Sequence, residues 1–184
     1  MPDLEKYQSP APLPDEHMRL VGIVAAHWEW VDLILERSVA EMMEHAYSRV
    51  ALLTTNVSFY AKCDLVMVYA RVFKDTEPAT WGEFVDALNT LKEAYRTRNE
   101  YVHARWRRDR STGQWGKRVV RTKGGKLTIA DTVVTIEELA CAAQAIHDAG
   151  EKYGQLVQRY GILLPSPEKS DEPHLSPSHD PDGN

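Results

Sequence analysis

Residues 115–134 read WGKRVVRTKGGKLTIADTVV. Two runs rich in β-branched residues flank Gly124-Gly125, a pair suited to the positive φ angles of a two-residue turn. The segment predicts a β-hairpin. Around it, from about residue 15 to 162, the pattern is mostly helical. The expected fold is therefore mainly α: a bundle of four to five helices with a β-hairpin (about 115–134) inserted between the last two long helices. An isolated hairpin is marginal in water, so this one should pack on the helices or on a partner chain.

On the C-terminal side, Thr135 and Glu138 form a capping box for a helix over about 136–160. Its stripe is Leu139, Ala143, Ile146, Gly150, Tyr153, Val157 and Tyr160, and Gly161 is a natural stop. On the N-terminal side, Pro78 closes a polar loop. Thr80 and Glu83 read as a second capping box, predicting a helix from Trp81 towards His103 or Trp106, with Phe84, Leu88, Leu91, Tyr95 and Val102 on its apolar face. Further back, Asp15 is placed to cap a helix reaching about Glu44. Its stripe is Val21, Val24, Trp28, Val31, Leu35, Val39 and Met42. A turn region over 48–55 and a helix over 56–73 complete the bundle, with Val57, Tyr60, Leu65, Val68 and Val72 expected to face inward.

Three segments follow from composition: residues 1–14 and 163–184 as disordered ends and 15–162 as one helical domain. Four prolines stand in the first fourteen residues, and the tail from 165 reads PSPEKSDEPHLSPSHDPDGN. Neither end carries enough apolar surface to offset chain entropy. Two cysteines, Cys63 and Cys141, cannot make a disulfide scaffold, and both read as small buried apolar residues. The opening MPDLEKYQSP lacks the apolar run of a signal peptide, and Leu20–Leu35 is too interrupted by charge to span a membrane. A reduced, cytoplasmic protein with no membrane partner is expected.

The net charge is −5 over 184 residues, yet its distribution is uneven. Eleven of the 22 Lys and Arg residues lie between Arg96 and Lys126, against two acids, Glu100 and Asp109. Such a local field attracts phosphate whatever the global charge. Arg96, Arg105, Arg107 and Arg108, with Lys117, Arg121, Lys123 and Lys126 as outward positions of the hairpin, are the expected RNA- or phosphate-binding residues. Trp106 and Trp115 interleave them; Tyr101 and Trp106 read first as packing residues. A merely solvated basic face is the plain alternative.

Several chemistries find no support. A phosphate-cradling loop ending at Gly125-Lys126 would need Gly where Val120 stands and Ser or Thr where Leu127 stands. No G-x-S-x-G elbow occurs. His27 lies among Ala25, Ala26 and Trp28 and reads as a core or interhelix histidine. No histidine has companions at metal-ligand spacing, so no metal and no cofactor is expected.

The remaining constellation is YRTRNEYVHARWRRDR, residues 95–110. Arg98, with Asn99 directly after it, precedes His103 by five positions at the end of an amphipathic helix. The stretch Arg98-Asn99-Glu100-Tyr101-Val102-His103 resembles the motif of the HEPN superfamily (higher eukaryotes and prokaryotes nucleotide-binding domains), an Arg, four to six residues, then His. The resemblance implies a helical bundle and, in many members, a dimer that joins two motifs in one cleft. It also implies metal-independent endoribonuclease activity of the toxin or defence type, with Arg98, His103 and Asn99 catalytic. Implied partners are RNA or nucleotide, a second copy of the chain, and an antitoxin or operon partner. Other members do not cleave, so a non-catalytic RNA- or nucleotide-binding dimer or an adaptor is the alternative. The tyrosine two places after the histidine in one subgroup is absent here, since Ala104-Arg105 follows His103.

The chemistry suits RNA cleavage by its own 2′-hydroxyl. A histidine moves protons near neutral pH, and a guanidinium offers directed donors to a phosphate gathering negative charge. Residues five apart on a helix point about 140° away from each other. Either the helix ends between them, or Arg98 folds back, or a two-fold dimer brings Arg98 of one chain to His103 of the other. The plain alternative is that the same residues only cap and pair: Arg98 and His103 with helix termini and acids, Asn99 as a helix cap.

Overall fold

The computed structural model describes residues 13–44, 46–54, 56–109, 111–123 and 126–162, with the backbone alone for 119–123 and 126–129. The expected end segments 1–12 and 163–184, the turn residues Gly124 and Gly125, and the side chains of Arg121, Lys123 and Lys126 lie outside that description.

The protein is mainly helical, with a three-stranded antiparallel sheet between the last two long helices. In chain order the elements are α1 (Asp15–Met42), α2 (Tyr47–Thr54), α3 (Phe59–Ala70), α4 (Phe73–Thr76), α5 (Pro78–Val102), β1 (Arg105–Arg108), β2 (Trp115–Lys123), β3 (Lys126–Val133) and α6 (Ile136–Arg159). The predicted hairpin is β2–β3, in register from Gly116↔Val133 to Lys123↔Lys126. The strand β1 was not foreseen. It turns the hairpin into a sheet of order β1-β2-β3 and places Trp106 on a strand instead of at a helix end.

The first helix starts at Asp15, but Pro14 occupies the cap position and no side chain caps the end. Asp15 instead sits in the first turn, where its charge suits the positive end of the helix. A short helix, α2, replaces the expected turn over 48–55. The fifth helix begins three residues earlier than expected, because Pro78 fits the first helical turn, where its missing N–H costs nothing. The predicted box at Thr80 and Glu83 does not form. Thr80 is buried, donating to Glu77 at 3.0 Å and sharing a hydrogen bond with the Tyr160 hydroxyl at 2.9 Å, while Glu83 accepts from Arg159 at 2.8 Å. The box at Thr135 and Glu138 is present in both directions. Gly161 ends the last helix at φ +67°, a conformation that L side chains rarely adopt.

The core lies where α6 packs on α1 and α5, and the expected stripes of α1, α5 and α6 supply most of it. Helix α6 lies tight against α1 at Gly150, where a Cβ would lie 2.5 Å from Trp30 Cζ3 and 2.7 Å from Val31 Cγ2. Overpacking there costs about 1–3 kcal/mol, against a helix-propensity gain of up to about 1 kcal/mol. Gly150→Ala is expected to lower stability by about 1–2 kcal/mol, read from a denaturant midpoint at unchanged slope.

Helix α3 turns differently from the expected face. Phe59, Lys62, Cys63, Val66 and Ala70 point inward, whereas Tyr60, Leu65, Val68 and Val72 are exposed. Phe59 is gripped by Trp28 and Tyr95, with ring centroids 4.9 and 4.6 Å away. Buried Lys62 donates to Asp32 at 2.9 Å and to Glu36 at 2.6 Å, both on α1. Cys63 is buried as expected; Cys141 is not, since it lies on the solvent side of α6. His27 bonds the Ala143 carbonyl through Nδ1 at 2.9 Å and so ties α1 to α6 as an interhelix histidine.

Candidate functional site

The helix α5 ends between Val102 and His103, and that ending builds the site. His103 is the C-cap residue, its backbone N–H donating to the Asn99 carbonyl at 3.3 Å. Departing from helical backbone there swings the imidazole back along α5, and Arg98 meets it within the same chain. Arg98 Nη1 lies 2.7 Å from His103 Nε2 and donates to Asn99 Oδ1 at 2.9 Å. Of the expected routes, the helix ends between the two residues and Arg98 meets His103 within one chain.

Among the described residues the charge of this arginine meets no carboxylate. Its acceptors are an amide oxygen and a ring nitrogen, and Nε is buried with no hydrogen-bond partner. A guanidinium has no acceptor, so in this contact Nε2 accepts and its lone pair is engaged by Arg98. His103 itself is exposed and Arg98 and Asn99 are half-buried. The end of α5 is fixed from below by a small second core, where Tyr101 and Trp106 pack with Leu20, Val134 and Leu139. Both aromatics are therefore packing residues. Burial, then Glu100 and Glu138, push the Tyr101 phenol above its ordinary range.

The other predicted basic residues divide. Lys117 is not an outward position. It is buried, donates to Glu100 at 2.6 Å and sits 4.2 Å from the centre of the Tyr101 ring. Its strand faces the helices at that point, so its charge is spent inside the molecule. Arg96 is exposed and paired with Glu93 on its own helix. Arg105, Arg107 and Arg108 are all exposed on β1, with Arg108 Nε donating to the Gly113 carbonyl at 3.1 Å. Arg121, Lys123 and Lys126 belong to β2 and β3 by backbone alone.

The β1–β2 connection was missed by sequence reading although it carries a signal, Asp109 followed by Ser111, Thr112 and Gly113. Asp109 accepts from the Ser111 hydroxyl and N–H at 2.6 and 2.7 Å and from the Thr112 N–H at 3.0 Å. These bonds, the hydroxyl first, hold its carboxyl down at about 2. Beside this turn, Arg118 forks onto Asp131 and keeps that carboxyl below its usual range.

Among the described residues no three His, Cys, Asp or Glu side chains are grouped to hold a metal ion, and no helix is long and apolar enough to cross a membrane. Compared with family profiles, with characterised proteins and with solved structures, the chain gave no match.

Proposed function

We propose that the protein is a HEPN-type endoribonuclease that cleaves RNA without a metal, through attack of the 2′-hydroxyl on the neighbouring phosphate. One observation carries the reading: an arginine with no carboxylate partner among the described residues donates to an exposed histidine whose ring nitrogen is an acceptor. A bound phosphate would take the guanidinium from His103, since a charged oxygen is the stronger acceptor. That exchange frees Nε2 to remove the 2′-hydroxyl proton as the 2′-O–P bond forms. Arg98 and the Asn99 amide stabilise the charge gathering on the non-bridging oxygens. The P–O5′ bond then breaks, and the departing 5′-oxygen takes a proton from water or from the imidazolium of a second protomer. The products are a 2′,3′-cyclic phosphate and a 5′-hydroxyl. A homodimer that faces two such helix ends is the assembly this chemistry favours, with a neutralising operon partner as its natural control.

A second reading is a dimer that binds RNA or nucleotide without turnover. The engaged lone pair of His103 favours it, because a base held by its neighbour is idle until displaced.

The test is incubation of wild type and His103→Ala with a mixed RNA pool in excess chelator, followed by end-group analysis. Cleavage by wild type alone, leaving cyclic phosphate ends, is the expected result. Salt-sensitive binding without cleavage that survives His103→Ala would instead establish the second reading.

A further inference from the structure

In two neighbouring rows of its outer face the sheet sets three arginines, Arg105, Arg107 and Arg118, against one carboxylate, Asp131, whose proton affinity both Arg118 and Arg107 lower. Arg105, Arg118 and Asp131 stand side by side across the three strands, and Arg107, Gly116 and Val133 form the next row. Like charges directly opposite on neighbouring strands weaken a sheet, and the first row sets Arg105 against Arg118. The carboxylate of that row is already taken, since Arg118 reaches it through Nε and Nη2 at 2.7 and 2.6 Å. Arg105 and Arg107 are exposed and have no hydrogen-bond or ion-pair partner among the described residues.

Gly116 leaves the floor bare between them. A Cβ there would lie 2.4 Å from the Thr132 carbonyl oxygen, so β2 and β3 pair this closely only around a glycine. Above that floor opens a groove of about 450 Å³, lined by Arg107, Arg108 and Arg118 and by the carboxylates Asp109 and Asp131, with Arg105 outside its lining. It does not include the Arg98–His103 pair. Arg105, the first residue of β1 and two residues after His103, stands in the chain between that pair and the groove.

We infer that Arg105 and the arginine wall of this groove form a phosphate track, which holds the single RNA strand leading away from the Arg98–His103 pair. The inference rests on the RNA reading of that pair. Alternate residues of a strand share a face and lie about 7 Å apart, so Arg105 and Arg107 are spaced to take successive phosphates of one extended strand. Contacts of this kind position a strand and do not read its bases. The track therefore gives affinity and direction, and leaves base preference to the cleavage site.

The experiment is fluorescence anisotropy with a 2′-O-methyl oligonucleotide of about ten nucleotides, which cannot be cleaved, between about 50 and 200 mM salt. Arg105→Gln/Arg107→Gln is expected to bind about tenfold more weakly at the lower salt. Its plot of log K against log salt should flatten by about 1.4, two phosphate contacts at about 0.7 each. Arg71→Gln, which removes an exposed charge beyond α3, is expected to bind as wild type does. Unchanged affinity and slope in the double variant, with His103→Ala still abolishing cleavage, would overturn the track and leave the cleavage site standing. An equal loss in Arg71→Gln would reduce the effect to net charge and overturn it too. Absence of binding by wild type would remove both.

Discussion

Arg98→Ala and His103→Ala are each expected to lower RNA cleavage by about 10²–10⁴-fold. The double variant should fall little further than the worse single one, because groups acting as a unit lose their effect together. Arg98→Lys should recover only part of the loss, since an ammonium cannot hold phosphate with two directed donors as a guanidinium does. Single-turnover cleavage rates check all four proteins. Thermal melting of His103→Ala should barely move, because His103 lies exposed at a helix end and surface changes usually stay within about 0.5 kcal/mol. Additive losses across the two positions would mean that Arg98 and His103 work on different steps.

Lys62→Ala is expected to cost about 3 kcal/mol, the low end of the usual penalty for breaking a buried ion pair, because the carboxylates left behind are partly exposed. Asp32 and Glu36 lie one turn apart on α1 and share this one ammonium, which is 4% exposed. At this chain length the loss corresponds to a melting point lower by about 10 °C. Replacing the whole cluster with apolar residues of similar volume should recover most of it, since an intact buried ion cluster is weak evidence for net stability. Burial alone lowers the ammonium's affinity for its proton, but the bonds from Asp32 and Glu36 outweigh it and leave the group above its ordinary 10.5. A raised folded value means that the contribution is fully present below 10.5 and fades as pH rises through the folded value. The gap in stability between wild type and Lys62→Ala should therefore close in strong alkali.

The same lysine explains which parts of the fold were legible. Helices α1, α5 and α6 carry apolar residues on one side and charge on the other, so their inward faces could be read directly. Helix α3 has apolar residues all round: Tyr60, Leu65 and Val68 make as good a stripe as Phe59, Cys63, Val66 and Ala70. Its rotation is decided by two things no local pattern contains, the aromatic grip of Trp28 and Tyr95 on Phe59 and the two carboxylates waiting on α1. The strand β1 was hidden for a related reason. Its four residues RWRR show no alternation of apolar and polar, and only pairing with β2 makes them a strand.

At the candidate site the residue types were legible and their geometry was not. The sequence offered Arg98, Asn99 and His103 as a set, but their meeting depends on where α5 stops, a matter of one residue. Lys117 looked like its basic neighbours until the pleat turned it towards Glu100 and Tyr101. A hairpin face can be assigned from sequence only when one side is apolar, and here charge lies on both.

Cys63 makes the molecule its own clock. Its thiol is buried in the middle of α3, and that burial pushes it up to about 12, so almost no thiolate exists in the closed state at neutral pH. A thiol reagent will therefore mark the exposed Cys141 at once and reach Cys63 only in chains whose third helix has lifted from the bundle. The slow phase of such labelling counts those excursions one by one, and comparison with global melting tells whether that helix leaves alone or only when everything else does.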